Sequence, residues 1–320
     1  MMLNDRNHVF DSLQNERSRR EVLYAMACLQ FVLPGACSPV PSKYRASRVF
    51  RDSSIEVFGR ISVEVIGHGP DILLIPGAGS SRAVWTDAAN CLRLRNRLHL
   101  INVAGFAGET PRFNSNGEIL TPVSGAILSY IESLSSQAVK IVGHSMGGVI
   151  ALKVASLRPH IVSRLIIVEA LPFAGILLRG DAATVANMHI IAKVQRHLNK
   201  ILYRMLVINE ASGMTNSRRA AIMVTEWLKS SDRDVVIQAL YDMLSIDLRG
   251  SSHLITCPID VIFGASTNLT SDRTVKSLYH SSYTPFSTVS YFEVENAKHF
   301  VMLDQPSVFT SLVDKLVLLS

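Results

Sequence analysis

The chain has 320 residues, of which 48% are hydrophobic and 18% are charged. This composition is too apolar for a disordered protein, and the length suits one large domain or a core domain with an insertion. Four cysteines are too few for a disulfide scaffold, and the net charge of +6, spread as single Lys and Arg residues, favours a solvated surface over a nucleic-acid-binding or membrane-binding one. The body contains no run of about 18 apolar residues, so we expect no membrane span in the mature chain.

The N-terminal residues have the layout of an export signal. A polar leader is followed by Ser18-Arg19-Arg20-Glu21-Val22-Leu23, then by a short apolar run that ends before Gly35-Ala36-Cys37-Ser38. The run is too short to span a membrane and suits the hydrophobic part of a signal peptide. The Ser-Arg-Arg segment resembles a bacterial twin-arginine signal. We therefore expect residues 1–37 to be an export signal and the protein to be periplasmic or extracellular.

Two details of this signal stay open. Small residues before Ser38 fit a cleavage site, whereas Cys37 also fits a lipid-attachment site, except that Pro34 stands where such signals usually have Leu. The alternative interpretation of the whole segment is an ordinary amphipathic helix. If the protein folds before export, in a reducing compartment, the remaining Cys91 and Cys257 are expected to be free thiols.

The body of the chain alternates strand patterns with helix patterns. Alternating segments on either side of Gly59-Arg60 predict an antiparallel hairpin. Later apolar runs predict strands that are buried on both faces, and the segments between them have helical periodicity. The strands are expected at residues 72–75, 98–103, 139–142, 165–168, 259–263 and 289–294, and the helices at residues 84–94, 123–134, 146–157 and from 307 onward. This order predicts an α/β fold with a mostly parallel sheet flanked by helices.

Residues 171–255 interrupt the alternation, because only helical periodicity is found there. Helices are expected at residues 185–207, 217–228 and 235–244. An insertion of this kind predicts a helical cap over one end of the sheet, with the core at residues 45–170 and 256–320. The insertion is rich in methionine, which usually packs between helices and less often lines an apolar pocket.

The segment Gly143-His144-Ser145-Met146-Gly147 gives the clearest chemical signal. It joins a predicted strand to a predicted helix and has the G-x-S-x-G pattern of a nucleophile elbow. The turn is so tight that side chains at the two glycine positions would collide with neighbouring backbone. We therefore expect Ser145 at the apex in a strained conformation, with its hydroxyl above the sheet and near the N–H groups of the next helix.

With this elbow, the sequence resembles the α/β-hydrolase family over most of residues 55–319, and exported bacterial members with a helical cap in particular. Residues 72–79 are similar to the oxyanion loop of that family, although Pro76 stands where most members have His. The resemblance implies that the backbone N–H groups of Ala78 and Met146 form the oxyanion hole. It also implies a mostly parallel sheet with an inserted cap.

The general base is expected near the C-terminus. Residues 295–306 match the histidine loop of the family, and His299 lies between the last predicted strand and the final helix. In that position its Nε2 would take the proton of Ser145 and return it to the leaving group. His144, inside the elbow, is expected to shape the turn without titrating in catalysis.

The acid of the triad has two candidates. Family members usually carry an Asp shortly after the strand predicted at 259–263, but this chain has Asn268 there, and Asp272 follows later. Asp260 lies within the strand and is expected to point into the sheet. Some relatives with a helical cap place the acid at the end of the preceding strand, where this chain has Glu169. Both solutions keep the order Ser, acid, His, and we take Glu169 as the first choice and Asp272 as the second.

These residues predict a serine hydrolase that cleaves a carboxylic ester, thioester or lactone through an acyl-serine intermediate. Ser145 excludes the branch of this fold that uses an Asp nucleophile, the haloalkane dehalogenases and epoxide hydrolases. We expect no cofactor and no metal, because the sequence has neither a phosphate-binding glycine motif nor metal-ligand spacing. The apolar insertion favours a small substrate with a hydrophobic acyl or alcohol group, and the oligomeric state is not indicated.

Two other classes of function stay open. The same scaffold supports hydrolysis of carbon–carbon bonds and cofactor-free oxidation, because a fold does not fix the chemistry of its site. A non-catalytic binding protein that descends from a hydrolase is the other alternative, which the missing late Asp favours and the intact elbow opposes.

Overall fold

The computed structural model describes residues 48–134, 138–178, 211, 213–265 and 272–319. The export signal predicted at residues 1–37 and the helix predicted at 185–207 lie outside these residues. In the part of the chain that is described, no helix has both the length and the apolar character needed to cross a bilayer.

Within the described residues, an eight-stranded sheet has the order β1-β2-β4-β3-β5-β6-β7-β8. The pairs β1–β2 and β2–β4 are antiparallel, and all the other neighbouring strands are parallel. Strands β3 to β7 are almost entirely buried, as strands of a parallel sheet covered on both faces should be. The predicted hairpin and the predicted parallel strands are confirmed. The strands are β1 (Ser54–Phe58), β2 (Ile61–Ile66), β3 (Asp71–Ile75), β4 (Arg97–Val103), β5 (Val139–His144), β6 (Val162–Val168), β7 (Ile259–Gly264) and β8 (Val289–Val294).

Helices cover both faces of the sheet. Leu73 and Ile75 of β3 belong to one hydrophobic cluster, with α2, α3, α5 and α6, whereas Ile72 and Leu74 belong to a second cluster, with α1 and α8. Successive strand side chains point to opposite faces, so this alternation divides the core into two layers. The helices are α1 (Thr86–Leu92), α2 (Leu120–Ser133), α3 (Met146–Leu157), α4 (Arg218–Ser230), α5 (Arg233–Ser245), α6 (Asp272–Tyr283), α7 (Val301–Asp304) and α8 (Pro306–Leu318).

The core helices predicted at 84–94, 123–134, 146–157 and from 307 are confirmed with small shifts, whereas α6 was not predicted. The helix predicted at 84–94 divides into a 3-10 turn, Arg82–Trp85, and α1. Ser81 caps that turn, because its hydroxyl accepts a hydrogen bond from the N–H of Ala83. Cys91 and Cys257 are free thiols, as expected, and burial raises the pKa of Cys257 to about 11.

Residues 171–255 connect β6 to β7 and contain α4 and α5, which confirms the helices predicted at 217–228 and 235–244. Asp242 of α5 joins this segment to the core. Its carboxylate accepts hydrogen bonds from the backbone N–H groups of Ile119 (2.6 Å) and Leu120 (3.1 Å) at the start of α2. A negative charge is favourable there, because these N–H groups have no partner within the helix. The division into a core at 45–170 and 256–320 and a cap at 171–255 stays a prediction.

Candidate active site

Ser145 lies at the carboxyl end of β5, in the turn that leads into α3. Its φ of 52° and ψ of −121° are unfavourable for any residue other than glycine. The neighbouring strand holds this conformation, since the N–H of Ser145 donates to the carbonyl oxygen of Val168 at the end of β6 (2.8 Å). The predicted strained apex is therefore confirmed, and the side chain is half-buried.

The two glycines of the elbow are required by close backbone contacts. A Cβ atom on Gly143 would lie 2.4 Å from the carbonyl oxygen of Gly147, and one on Gly147 would lie 2.2 Å from the carbonyl oxygen of Ile75. The end of β3 thus passes directly against the start of α3. A Cβ atom on Gly77 would meet the Cβ of Ser145 at 3.1 Å, so the loop after β3 runs beside the Ser145 side chain.

Ala78 and Met146, the predicted oxyanion residues, belong to these two adjoining segments. Ala78 lies in a turn in which the N–H of Ser80 donates to the carbonyl of Gly77 (3.2 Å) and Gly79 has a positive φ of 66°. Met146 is the first residue of α3, where a backbone N–H has no carbonyl partner within the helix. Ala78 thus follows Gly77, which borders the Ser145 side chain, and Met146 directly follows Ser145 itself. That their N–H groups bind an oxyanion stays a prediction.

His299 lies in the loop between β8 and α7, and its side chain is 30% exposed. The carbonyl oxygen of His299 accepts a hydrogen bond from His144 Nε2 at 2.9 Å, and the two ring centroids are 4.7 Å apart. Burial, followed by the proximity of His299, lowers the pKa of His144 well below its ordinary value. His144 is therefore neutral and donates its Nε2 proton, which agrees with the expectation that it shapes the site without titrating. Because His144 precedes Ser145, this bond fixes the histidine loop next to the elbow.

The carboxylate of Glu169 lies beside the Nδ1 atom of the His299 ring. Glu169 follows β6 directly, has a positive φ of 52° and is buried. Its Oε2 lies 3.3 Å from His299 Nδ1, and its Oε1 accepts a 2.6 Å hydrogen bond from the N–H of Gly264 at the end of β7. The hydroxyl of Tyr279 donates to the same Oε2 at 3.3 Å. Burial, followed by the negative charge of Glu169, raises the pKa of Tyr279 well above its ordinary value, so Tyr279 stays a donor.

The other carboxylates considered from the sequence have different surroundings. Asp272 is the first residue of α6, and its side chain, like the whole of Asn268, lies outside the described residues. Asp260 is buried inside β7 and pairs with Arg164 at 2.7 Å, which confirms that it does not point out of the strand end. The described structure thus brings Ser145, His299 and Glu169 to the same edge of the sheet.

The segment between β6 and β7 also reaches this edge. A Cβ atom on Gly79 would lie 2.4 Å from Leu228 Cδ2, and the N–H of Ala107 donates to the hydroxyl of Ser231 (2.8 Å). The N–H of Asp232 donates to the carbonyl of Gly105 (2.7 Å). The end of α4 therefore packs on the loops after β3 and β4, including the loop that carries Ala78.

Sequence reasoning missed two residues that hold the site. Tyr279 supports the Glu169 carboxylate, and Asp304 binds the backbone of the histidine loop, with Oδ2 accepting from the N–H of Lys298 at 2.8 Å. Asp304 belongs to the histidine motif itself, so its position in that motif was the available signal. In the ranges that the structure describes, no three His, Cys, Asp or Glu side chains are grouped so as to hold a metal ion.

The sheet order, the elbow and the histidine loop together define a hydrolase of the α/β class. The profile of the Alpha/beta hydrolase family matches residues 72–312, which is most of the chain. The chain therefore belongs to the alpha/beta hydrolase family, as the resemblance in its sequence indicated.

Similar proteins are found among curated sequences and among solved structures. The chain is 25% identical over 264 residues to the pimeloyl-[acyl-carrier protein] methyl ester esterase of Aeromonas salmonicida, covering 79% of this chain and 97% of that protein. An esterase from Thermogutta terrifontis has a similar structure, with a TM-score of 0.67, 16% identity and coverage of 80% of this chain and 93% of that one. An enol-lactonase from Burkholderia xenovorans has a TM-score of 0.65, 16% identity and coverage of 81% and 96%. The two structures support the fold.

Proposed function

We propose that the chain is a serine esterase in which Ser145 is the nucleophile, His299 the general base and acid, and Glu169 the residue that orients His299. One observation carries the proposal: Glu169 Oε2 lies 3.3 Å from His299 Nδ1, while the carbonyl of His299 is bound to the residue before Ser145. A nucleophile, a base and an orienting acid are the three roles of a catalytic triad for acyl transfer to water, and their chain order here is the one found in this fold.

At the level of the class, the prediction of a hydrolase that acts on ester bonds is confirmed, since the family is the alpha/beta hydrolases and the curated relatives from Aeromonas are esterases. The triad and the substrate are our proposal. The retained elbow, with Ser145 strained at its apex, also favours an enzyme over a non-catalytic binding protein.

In the acylation step, His299 Nε2 removes the proton of the Ser145 hydroxyl as its oxygen attacks the ester carbonyl carbon. The negative charge that develops on the carbonyl oxygen is stabilised by the N–H groups of Ala78 and Met146. The imidazolium then gives its proton to the alcohol as the carbon–oxygen bond breaks. Glu169 stabilises the imidazolium and holds the His299 tautomer with its proton on Nδ1.

In the deacylation step, water takes the place of the alcohol. His299 removes a proton from that water as it attacks the acyl-serine carbonyl, and the same oxyanion hole receives the charge. Collapse of the intermediate breaks the bond to the Ser145 oxygen, which regains a proton from the imidazolium. The products are a carboxylic acid and an alcohol, and the enzyme returns to its starting state.

The proposed substrate is a small ester with an apolar acyl or alcohol group. Apolar side chains from the inserted segment lie against the oxyanion loop, because a Cβ atom on Gly79 would meet Leu228 at 2.4 Å and Val236 at 3.5 Å. Val235 packs in the same way against Gly105. These contacts support the role of residues 171–255 as a cap with an apolar inner surface. The relative from Aeromonas, by its name, hydrolyses a methyl ester.

The test is hydrolysis of short p-nitrophenyl esters by the purified protein and by Ser145→Ala. We expect the wild type to hydrolyse them and to be labelled by a fluorophosphonate probe, and the variant to lose both properties, because it lacks the hydroxyl that the acyl group and the probe modify. A wild type that neither hydrolyses esters nor takes the label would instead indicate a binding protein. Full activity of Ser145→Ala would contradict the mechanism.

We also propose that the protein acts outside the cytoplasm. Support comes from the sequence of residues 1–37, with Arg19-Arg20 before an apolar run and small residues near Cys37.

A further inference from the structure

The carboxylate of Asp304 binds two separate segments of the chain. Its Oδ2 accepts from the backbone N–H of Lys298 at 2.8 Å, next to His299. Its Oδ1 accepts from the hydroxyl of Thr215, from the N–H of Asn216 at 2.8 Å and from the N–H of Ser217 at 3.3 Å. One oxygen thus holds the histidine loop, and the other holds the part of the inserted segment that lies just before α4.

The backbone of the histidine loop is fixed at three successive residues. Besides the bond from Lys298 to Asp304, the carbonyl of His299 accepts from His144, and the N–H of Phe300 donates to the carbonyl of Met214 at 3.2 Å. The bond at Phe300 therefore depends on Met214, and the bond at Lys298 depends on the carboxylate that binds residues 215–217. The bond at His299 connects the loop to His144 of the elbow.

We propose that Asp304 is a positioning residue that couples residues 214–217 of the insertion to the orientation of His299. The inference rests on the proposed function of His299. Asp304 does not contact the reacting atoms. Its effect on catalysis acts through the backbone of Lys298, which sets where the adjacent His299 ring is held between Glu169 and Ser145.

A carboxylate is needed at this position because both of its oxygens face hydrogen-bond donors. An ionised Asp offers only acceptors, whereas Asn offers one acceptor oxygen and one NH₂ group. In Asp304→Asn the NH₂ group must face either the N–H of Lys298 or the donors of residues 215–217. Either the bond from Lys298 or the bonds from the N–H groups of Asn216 and Ser217 are then lost, although the side chain keeps its size.

A displaced His299 changes the relative kcat/KM for two kinds of ester, whereas a loss of folded protein does not. A p-nitrophenolate leaves readily without a proton, whereas the alkoxide of a methyl ester needs the proton that His299 delivers. An error in the position of His299 should therefore lower kcat/KM for a methyl ester more than for the p-nitrophenyl ester of the same acid. A smaller folded fraction lowers both values equally.

The experiment compares kcat/KM for methyl and p-nitrophenyl butyrate in wild type, Asp304→Asn and Asp314→Asn. Asp314 is the matched control, since it is an acid of α8 that pairs with Arg95 at the surface. We expect the p-nitrophenyl-to-methyl ratio to rise about tenfold in Asp304→Asn and to stay at the wild-type value in Asp314→Asn. A wild-type ratio in Asp304→Asn would overturn the proposal.

Thr215→Val provides a second test if Asp304→Asn does not fold. It removes one donor to Asp304 from the inserted segment without touching the histidine loop, and we expect the ratio to rise about threefold. A wild-type ratio in a folded Thr215→Val would then overturn the proposal. Failure of the proposed function looks different, because neither ester would be hydrolysed by the wild type.

Discussion

In the proposed triad, Glu169 takes the place of the late Asp that this fold commonly uses. It lies at the end of β6, one strand away from β7, and reaches His299 Nδ1 while Gly264 of β7 donates to its other oxygen. Tyr279 adds a third donor from α6. Three donors from three different elements hold the buried carboxylate, which is the arrangement that a preorganised orienting group requires.

The acid assignment is tested by amide substitution. Glu169→Gln keeps the shape of the side chain but cannot stabilise the imidazolium, so we expect kcat to fall by about 10²- to 10⁴-fold while the fold is retained. Asp272→Asn is the matched control, and we expect it to change kcat by less than about tenfold, on the order of 1.4 kcal/mol. Steady-state kinetics with p-nitrophenyl butyrate and circular dichroism provide the two measurements.

A large fall in kcat for Asp272→Asn, with little change for Glu169→Gln, would assign the role of the acid to Asp272. If neither substitution lowers kcat, His299 works with Ser145 as a dyad, and the acid in the proposed mechanism is wrong while the nucleophile and base still stand. Hydrolysis by Ser145→Ala, which tests the nucleophile, is independent of both results.

At the scale of elements, one side chain fastens α5 to the start of α2. Asp242 accepts from the N–H groups of Ile119 and Leu120 and from the side chain of Gln238 (2.7 Å). Burial raises the pKa of Asp242, while these hydrogen bonds oppose the rise. We expect Asp242→Ala to lower the free energy of unfolding by about 2 kcal/mol, because two buried N–H groups lose their acceptor.

Asp234 provides the control for this prediction, since it belongs to the same helix and is exposed beside Arg233. Asp234→Ala should cost less than about 1 kcal/mol. The free energies of unfolding of the wild type and of both variants are measured by urea denaturation at one pH. Equal stability of the two variants would show that the contact between Asp242 and α2 contributes little to holding the segment in place.

The sequence predicted the strands and most of the helices because these have a local signal, but it missed α6, the helix that carries Tyr279. Apolar runs predicted the buried strands β3 to β7, and the G-x-S-x-G pattern predicted the elbow. In the structure this turn is so tight that a Cβ atom added to Gly143 would lie 2.4 Å from a backbone oxygen. The contacts that Tyr279 and Asp304 make with distant segments have no such local signal. Asp304 binds Asn216, which is 88 positions away in the chain, so only the folded structure brings the two together.

At the scale of the whole molecule, the site forms where parallel strands end. Ser145 follows β5, Glu169 follows β6 and His299 follows β8, and the carboxyl ends of these strands lie on one edge of the sheet. Loops at this edge carry the chemistry of open α/β sheets, because the buried strands hold them rigidly. The two hydrophobic clusters, one on each face of the sheet, hold these strands in place. The positions of the three side chains therefore depend on the whole sheet and on the helices that cover it.

Export is a further prediction for the whole chain. Cys91 and Cys257 are free in the described structure, so folding does not require the two to pair. A protein that folds without an oxidising compartment suits a route that carries folded chains, in line with the resemblance of residues 18–23 to a twin-arginine signal. Recognition by that route should depend on both arginines, because lysine does not reproduce the planar guanidinium.

We therefore expect replacement of Arg19-Arg20 by Lys-Lys to retain full-length precursor in the cytoplasm of a bacterial host that has the twin-arginine route. The wild-type protein should appear in the extracytoplasmic fraction with an N-terminus near Cys37 or Ser38, as measured by fractionation and mass spectrometry. Attachment of lipid at Cys37 would add mass and would be lost in Cys37→Ala, whereas simple cleavage would not. Unchanged export of the Lys-Lys variant would indicate another route, and a wild-type protein that stays full-length in the cytoplasm would contradict the export signal itself.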